Sequence, residues 1–179
     1  MEIIINSGYL GNNSNTLDAL LLTKNIKKIT GVFIDVRKTL DNILILSEYN
    51  DLKNNTLSNK IISQSKYDDI RKVKYPSHIF KYFIPKLEEF LDRYQCQKKI
   101  FIRMHDVNKL YLDLLYDMLK RYQYNYYYIV DNNLMKNHKL CNIGTICNNY
   151  VFLDSVDNDI NIEEDIYVIT KNIHQINKN

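Results

Sequence analysis

Tryptophan is absent from the 179-residue chain, and glycine, proline and cysteine are scarce, at four, two and three residues. So few glycines leave no GxGxxG loop, no P-loop and no Gly-x-Ser-x-Gly nucleophile elbow in the sequence. The three cysteines, Cys96, Cys141 and Cys147, are scattered and form neither a CxxC metal-binding pair nor a disulfide framework. This pattern favours reduced thiols and a cytoplasmic protein.

Long apolar runs and an excess of one charge are missing as well. The run from Ile3 to Ile5 is too short for a signal sequence or a membrane span. A formal net charge of +3, with basic residues dispersed among acidic ones, provides no attraction to nucleic acid or to an anionic membrane. The hydrophobic content of 45% is ordinary for a globular protein, and the length predicts a single domain over residues 1–179.

The sequence does contain short β-branched runs that end in polar or charged residues. Glu2 to Asn6 predicts a first strand, and Gly31 to Lys38 predicts a second, followed by a tight turn and a returning arm that ends at Glu48. Lys99 to Asp106 predicts a third strand. Within the second strand, Asp35 is a lone carboxylate that would cost several kcal/mol to bury unpaired, so we expect it to face a partner or a wet cleft.

A first helix is predicted to begin after Asn15 or Thr16, either of which could cap it, and a second begins at Pro85. A third is predicted to end at Lys120-Arg121, and its apolar stripe consists of Leu110, Leu114, Leu115, Met118 and Leu119. The rest of the chain predicts further strands with connections too short for a full helix each. They are Tyr126–Val130, Asn142–Cys147, Tyr150–Leu153 and Ile166–Thr170. About seven strands are therefore expected, together with the returning arm.

These runs resemble the glycerophosphodiester phosphodiesterase family, whose strand reads Glu-x-Asp-Val, followed by Thr-x-Asp-Gly and an apolar run ending in His-Asp. Asp35, Val36, Thr39 and Asp41 stand at the matching positions, and Ile84–Glu89 resembles Ile-Pro-Thr-Leu-Glu-Glu. The resemblance is densest over residues 1–106. It implies an α/β fold, a shortened TIM-type barrel of about seven strands that is either incomplete or closed in an unusual way, with its cleft at the carboxyl ends of the strands.

The positions that carry the chemistry of this family are mostly replaced. Its members hold a divalent metal, such as magnesium or calcium, with carboxylates and use two histidines as acid and base. The carboxylate positions fall on Phe33, Asp35 and Arg103, of which only Asp35 can bind a cation. The histidine positions fall on Asn6 and Glu48, and asparagine exchanges no proton near neutral pH. The resemblance therefore implies that metal-dependent catalysis is lost and that no cofactor is bound.

Arg103 and His105 stand where the family has Glu-x-Lys. Strand alternation places both on one face, as it does Phe33 and Asp35 on the neighbouring strand. We therefore expect an Asp35–Arg103 ion pair in place of the metal. In a sharper form of this hypothesis, Asn6, Asp35, Arg103 and His105 line a cleft in which Arg103 and His105 bind an anion such as a small phosphate ester. The alternative is that Arg103 extends to solvent at the barrel mouth.

Three functions follow from this pattern. The first is a binding or interaction module without catalysis. The second is a hydrolase with a rebuilt site, in which Glu48 and His105 act with Asp35 on a phosphodiester. The third is a structural subunit that self-associates through an open sheet edge.

Overall fold

The computed structural model describes residues 2–6, 15–54, 56–73, 83–130, 135, 137–153 and 167–170. In these ranges, none of the helices is long and apolar enough to cross a membrane. The elements are β1 (Glu2–Asn6), α1 (Leu17–Leu22), β2 (Gly31–Lys38), β3 (Leu44–Leu46), α2 (Tyr67–Arg71), α3 (Leu87–Tyr94), β4 (Lys99–Met104), α4 (Lys109–Leu119), β5 (Tyr126–Ile129), β6 (Gly144–Ile146), β7 (Tyr150–Leu153) and β8 (Tyr167–Thr170).

Seven of these strands form a parallel sheet in the order β6-β5-β4-β2-β1-β8-β7, and β3 pairs with β2 as an antiparallel arm. This order is that of an incomplete TIM-type barrel, as the sequence predicted. The strands at the two ends of the order, β6 and β7, are joined by residues 147–149 alone. Such a link spans at most about 14 Å, so the two edges of the sheet lie close together and the sheet is curled.

Residues 144–153, here called the seam segment, pass from one edge of the sheet to the other. The amide of Cys147 donates to the carbonyl oxygen of Tyr128 at 2.9 Å, on the β5 side. Two residues later, the carbonyl oxygen of Asn149 accepts from the amide of Tyr167 at 3.1 Å, on the β8 side. The inward-facing positions are odd-numbered before this switch, as at Cys147, and even-numbered after it, as at Tyr150. The seam segment thus connects both edges of the incomplete barrel.

Alternation along the strands produces two apolar layers. The even-numbered residues of β2 and β4, such as Val32 and Ile102, pack outward against α1, α3 and α4. The odd-numbered residues Phe33 and Phe101 point inward and are fully buried with Ile169 of β8. Side chains therefore fill the interior of the barrel.

Helix α4 differs from the sequence prediction in the face that it buries. Its N-cap is Asn108, whose side-chain oxygen accepts from the amide of Tyr111 at 2.9 Å. Tyr111, Leu115 and Leu119 lie four residues apart and are buried, whereas Leu110 is half exposed. The prediction that Leu110 belongs to the buried stripe was wrong, because the stripe begins one position later.

The amino-terminal end of the barrel is filled by a charged pair. The Lys99 ammonium donates to both carboxylate oxygens of Glu2, at 2.5 and 2.7 Å. It also lies over the rings of Tyr127 and Tyr167, 5.3 and 4.9 Å from their centroids.

Gly144 of β6 lies against the ring of Tyr128, which is fully buried. A Cβ at this position would lie 2.5 Å from Cε2 of Tyr128 and 2.8 Å from Cβ of Tyr126. We expect Gly144→Ala to lower the free energy of unfolding by about 2 kcal/mol through overpacking, measured by urea denaturation. The control is Thr145→Ala at the exposed neighbour, which should change it by less than about 0.5 kcal/mol. Equal midpoints for the two variants would contradict this prediction.

Candidate functional site

Two neighbouring strands bring polar residues together at the carboxyl end of the barrel. Asp35 of β2 and Arg103 of β4 are paired in the parallel register, and Asp35 is fully buried. Oδ1 of Asp35 accepts hydrogen bonds from Nε of Arg103 at 2.5 Å and from Nε2 of His105 at 2.8 Å. Because a carboxylate oxygen can only accept, the proton on the His105 ring is assigned to Nε2.

The environment of Asp35 keeps its carboxylate ionised. Burial is the largest single influence and would raise the pKa of Asp35, but the hydrogen bonds from His105 and Arg103, together with the positive charge of the guanidinium, outweigh it. The pKa of Asp35 therefore lies below its ordinary value. The buried charge is compensated by its two partners.

Two aromatic rings and a second carboxylate surround the guanidinium of Arg103. Its central carbon lies 5.1 Å from the ring centroid of Phe33 and 5.8 Å from that of Phe152. Nη2 of Arg103 lies 3.7 Å from Oε1 of Glu48, which is an ion-pair distance but too long for a hydrogen bond. Among the residues that the structure describes, neither Nη atom of Arg103 has a hydrogen-bond partner. In the part of the chain that the structure describes, its outer N–H groups are therefore unused donors.

Arg37 holds the loops around this cluster, and the sequence analysis missed it. Its Nε and Nη2 atoms donate to the main-chain oxygen of Glu48 at 3.3 and 2.7 Å, and Nη1 donates to Oδ2 of Asp106 at 3.1 Å. The arm that carries Glu48 is thereby tied to the loop that follows β4. Because side chains alternate along a strand, Arg37 lies on the same face as Asp35. This spacing was the sequence signal that could have identified Arg37 as a residue of the site.

Two asparagines lie near the site. Asn6, at the end of β1, pairs in register with Phe33 and is 8% exposed. The side-chain oxygen of Asn15 accepts from the amide of Asp35 at 3.4 Å. The sequence had left α1 to be capped by either Asn15 or Thr16, and the N-cap is Thr16. Ser7, which follows Asn6, lies outside the described residues.

A cleft of about 610 Å³ opens beside Arg103 and His105, between the ends of β4 and β5 and the seam segment. Its lining combines a cation, polar groups and apolar walls. The lining residues are Arg103, Met104, His105, Ile129, Val130, Cys147, Asn148 and Tyr150. Such a mixture suits a small polar ligand that also has an apolar portion.

The described residues at this end of the barrel do not provide the ligands of a divalent cation. Hard cations require several oxygen ligands that converge on one point. Oδ1 of Asp35 already accepts from two N–H donors, and Arg103 places a permanent positive charge beside it. Within the described ranges, no group of three His, Cys, Asp or Glu side chains is arranged to hold a metal ion.

Comparisons with known proteins define the class of fold to which the chain belongs. No protein-family model matches the chain, and no curated protein matches it in sequence. Solved structures of glycerophosphodiester phosphodiesterases do match it. The enzyme from Parabacteroides distasonis has a TM-score of 0.64 at 20% identity, over 87% of this chain and 66% of that one.

Two further structures support the same assignment. A phosphodiesterase from Oleispira antarctica, in complex with the product sn-glycerol-3-phosphate, has a TM-score of 0.68 at 15% identity, over 89% of this chain and 68% of that one. A glycerophosphodiester phosphodiesterase from Agrobacterium tumefaciens has a TM-score of 0.57 at 12% identity, over 96% of both chains. The chain therefore has the glycerophosphodiester phosphodiesterase fold, and it spans about two thirds of the length of the first two structures.

Proposed function

We propose that this chain is a catalytically inactive protein of the glycerophosphodiester phosphodiesterase fold, whose cleft binds a small organic anion such as a phosphate ester. The observation that carries the proposal is the double hydrogen bond from Arg103 and His105 to Oδ1 of Asp35. It occupies the carboxylate that would otherwise bind a metal, and it directs the outer edge of Arg103 toward the cleft.

The packing around Arg103 suits anion binding. Its Nε atom is anchored on a buried carboxylate, and its guanidinium lies against the rings of Phe33 and Phe152. An arginine restrained in this way loses little side-chain entropy when it binds a ligand. Its remaining N–H groups can donate two parallel hydrogen bonds to phosphate or carboxylate oxygens.

Loss of catalysis follows from the groups available for proton transfer and for charge stabilisation. Asn6 cannot act as an acid or a base, and the site does not fit the metal that would stabilise charge on a phosphate. Arg103 supplies a positive charge but no activated nucleophile. Binding without turnover is therefore the function that the geometry supports best.

A rebuilt hydrolase is the second candidate, and one observation favours it. The bond from Nε2 of His105 to buried Asp35 fixes the ring and leaves Nδ1 as a base. A carboxylate that orients a histidine in this way is the arrangement by which general bases are positioned. Self-association, the third function considered, stays a prediction.

An assay on glycerophosphocholine with magnesium or calcium separates these candidates. We expect no turnover above the uncatalysed rate and no rise in melting temperature with either cation. Glycerophosphocholine alone should raise the melting temperature, because a ligand that binds only the folded state stabilises it. The control is Arg103→Lys, which keeps the positive charge but lacks the planar guanidinium with its two parallel donors. This variant should show a smaller rise in melting temperature with glycerophosphocholine.

Three results would contradict the proposal. The first is turnover by the wild-type protein that His105→Gln abolishes, which would establish the rebuilt hydrolase instead. The second is a clear thermal shift with either cation alone. The third is the absence of any shift with glycerophosphocholine.

A further inference from the structure

We propose that Glu48 determines the charge of the anion that the cleft accepts and restricts it to a single negative charge. The inference rests on the proposed anion site at Arg103, and it adds the class of ligand. That class is organic monoanions, namely phosphodiesters and carboxylates, whereas the dianions of phosphate monoesters are disfavoured.

The position of the Glu48 carboxylate is the first argument. Oε1 of Glu48 lies 3.7 Å from Nη2 of Arg103, while Nε of Arg103 is bound to Asp35. An anion that binds the outer edge of Arg103 must therefore share the guanidinium with Glu48. Because no hydrogen bond joins Glu48 to Arg103, the N–H groups remain available, but the charge of Glu48 acts on whatever binds there.

The balance of charges is the second argument. Within the described ranges, three carboxylates face the two guanidinium groups of Arg37 and Arg103, namely those of Asp35, Glu48 and Asp106. Of the described residues that line the cleft, Arg103 is the only one with a permanent positive charge. Because the described carboxylates already outnumber the guanidinium groups by one, Arg103 contributes hydrogen bonds rather than spare charge, and a second negative charge on a ligand adds to the repulsion from Glu48.

The attachment of Glu48 is the third argument. Arg37 binds the main-chain oxygen of Glu48 through two nitrogen atoms, and Arg37 is held in turn by Asp106. The side chain of Glu48 is only 20% exposed. Its carboxylate is therefore restrained near Arg103 and cannot move far into solvent when an anion arrives.

The experiment compares ligands that differ in charge, in NMR titrations at pH 8. Dimethyl phosphate and acetate carry one negative charge, and methyl phosphate carries two because its second pKa is about 6. We expect the wild-type protein to bind dimethyl phosphate at least about tenfold more tightly than methyl phosphate. Acetate serves to distinguish a preference for phosphodiesters from a preference for carboxylates, and either ranking against dimethyl phosphate agrees with the inference.

Glu48→Gln should remove most of this selectivity. If loss of the Glu48 charge raises the affinity for a monoanion by some factor, it should raise the affinity for a dianion by about the square of that factor. We therefore expect methyl phosphate to gain about tenfold or more and dimethyl phosphate only a few-fold. Matching urea midpoints for the variant and the wild-type protein would show that folding is retained.

Asp106→Asn is the matched control. It removes the same charge from a side chain that is 71% exposed and is bound to Arg37 rather than to Arg103. We expect it to change the ratio of the two affinities by less than about threefold, because solvent screens its charge. An equal effect of the two variants would overturn the inference, since selectivity would then reflect the total charge of the cleft.

Two other outcomes separate the inference from the proposed function. Equal affinities for dimethyl phosphate and methyl phosphate, unchanged by Glu48→Gln, would overturn the role of Glu48 and leave the anion site in place. If none of the three probes bound to any variant, the anion site itself would be refuted, together with the inference.

Discussion

Replacement of Arg103 with methionine is expected to lower the free energy of unfolding by about 3 kcal/mol at pH 7, measured by urea denaturation. Asp35 is fully buried, and the substitution would leave its carboxylate with His105 as the remaining partner from the observed pair of donors. We expect the lower end of the range that is typical of a broken buried pair, since the Arg103 side chain is 29% exposed.

A double-mutant cycle and a surface control test this explanation. Asp35→Asn combined with Arg103→Met should recover part of the loss, because no unpaired buried charge remains. Arg121→Met breaks an exposed pair with Glu88 and should cost less than about 1 kcal/mol. A loss at Arg103 as small as that at Arg121 would favour the alternative in which Arg103 merely extends to solvent.

Asp35 should also account for a distinct part of the unfolding caused by acid. Its pKa in the folded protein lies below the ordinary carboxyl value, so its carboxylate contributes stability that is fully present above the unfolded-state pKa. That contribution is lost as the pH falls through the folded-state pKa. The wild-type protein should therefore lose stability on acidification more steeply than Asp35→Asn, by up to about 1.4 kcal/mol per pH unit.

Urea denaturation at a series of pH values from about 5 downward measures this difference. The matched control is Asp106→Asn, at a side chain that is 71% exposed. Its pH dependence should parallel that of the wild-type protein, because an exposed carboxylate has little pairing energy to lose. Parallel curves for Asp35→Asn and the wild-type protein would show that the buried pair does not contribute in this way.

The juxtaposition of Asp35 and Arg103 follows from the sequence because strand side chains alternate with a period of two. Once the family resemblance had made β2 and β4 neighbours, residues 33, 35, 101 and 103 had to share the inner face. The number of parallel strands was predictable for a similar reason. Short β-branched runs separated by polar residues mark strands even where their partners are unknown.

Other features depend on contacts that carry no sequence pattern. Arg37 binds the main-chain oxygen of Glu48, and every residue has such an oxygen, so no residue type marks the partner. The seam segment was predicted as two separate strands. Its change of partner between Cys147 and Asn149 arises from hydrogen bonds to residues that are distant in sequence. Burial of Tyr111 in place of Leu110 depends on the rotation of α4 about its axis, which helical spacing fixes only to within a residue.

The seam segment, which joins the two edges of the sheet, also forms one side of the cleft. Cys147, Asn148 and Tyr150 line the cleft, and they lie at the place where the chain exchanges one neighbouring strand for the other. A substitution at one of these residues alters the contacts with a ligand and also the connection between the two sheet edges. Ligand preference therefore cannot change at these positions without an effect on the fold. Glu48 lies outside the seam segment, at the end of the hairpin arm, so a substitution there changes the charge beside Arg103 and leaves intact the hydrogen bonds that join the two sheet edges.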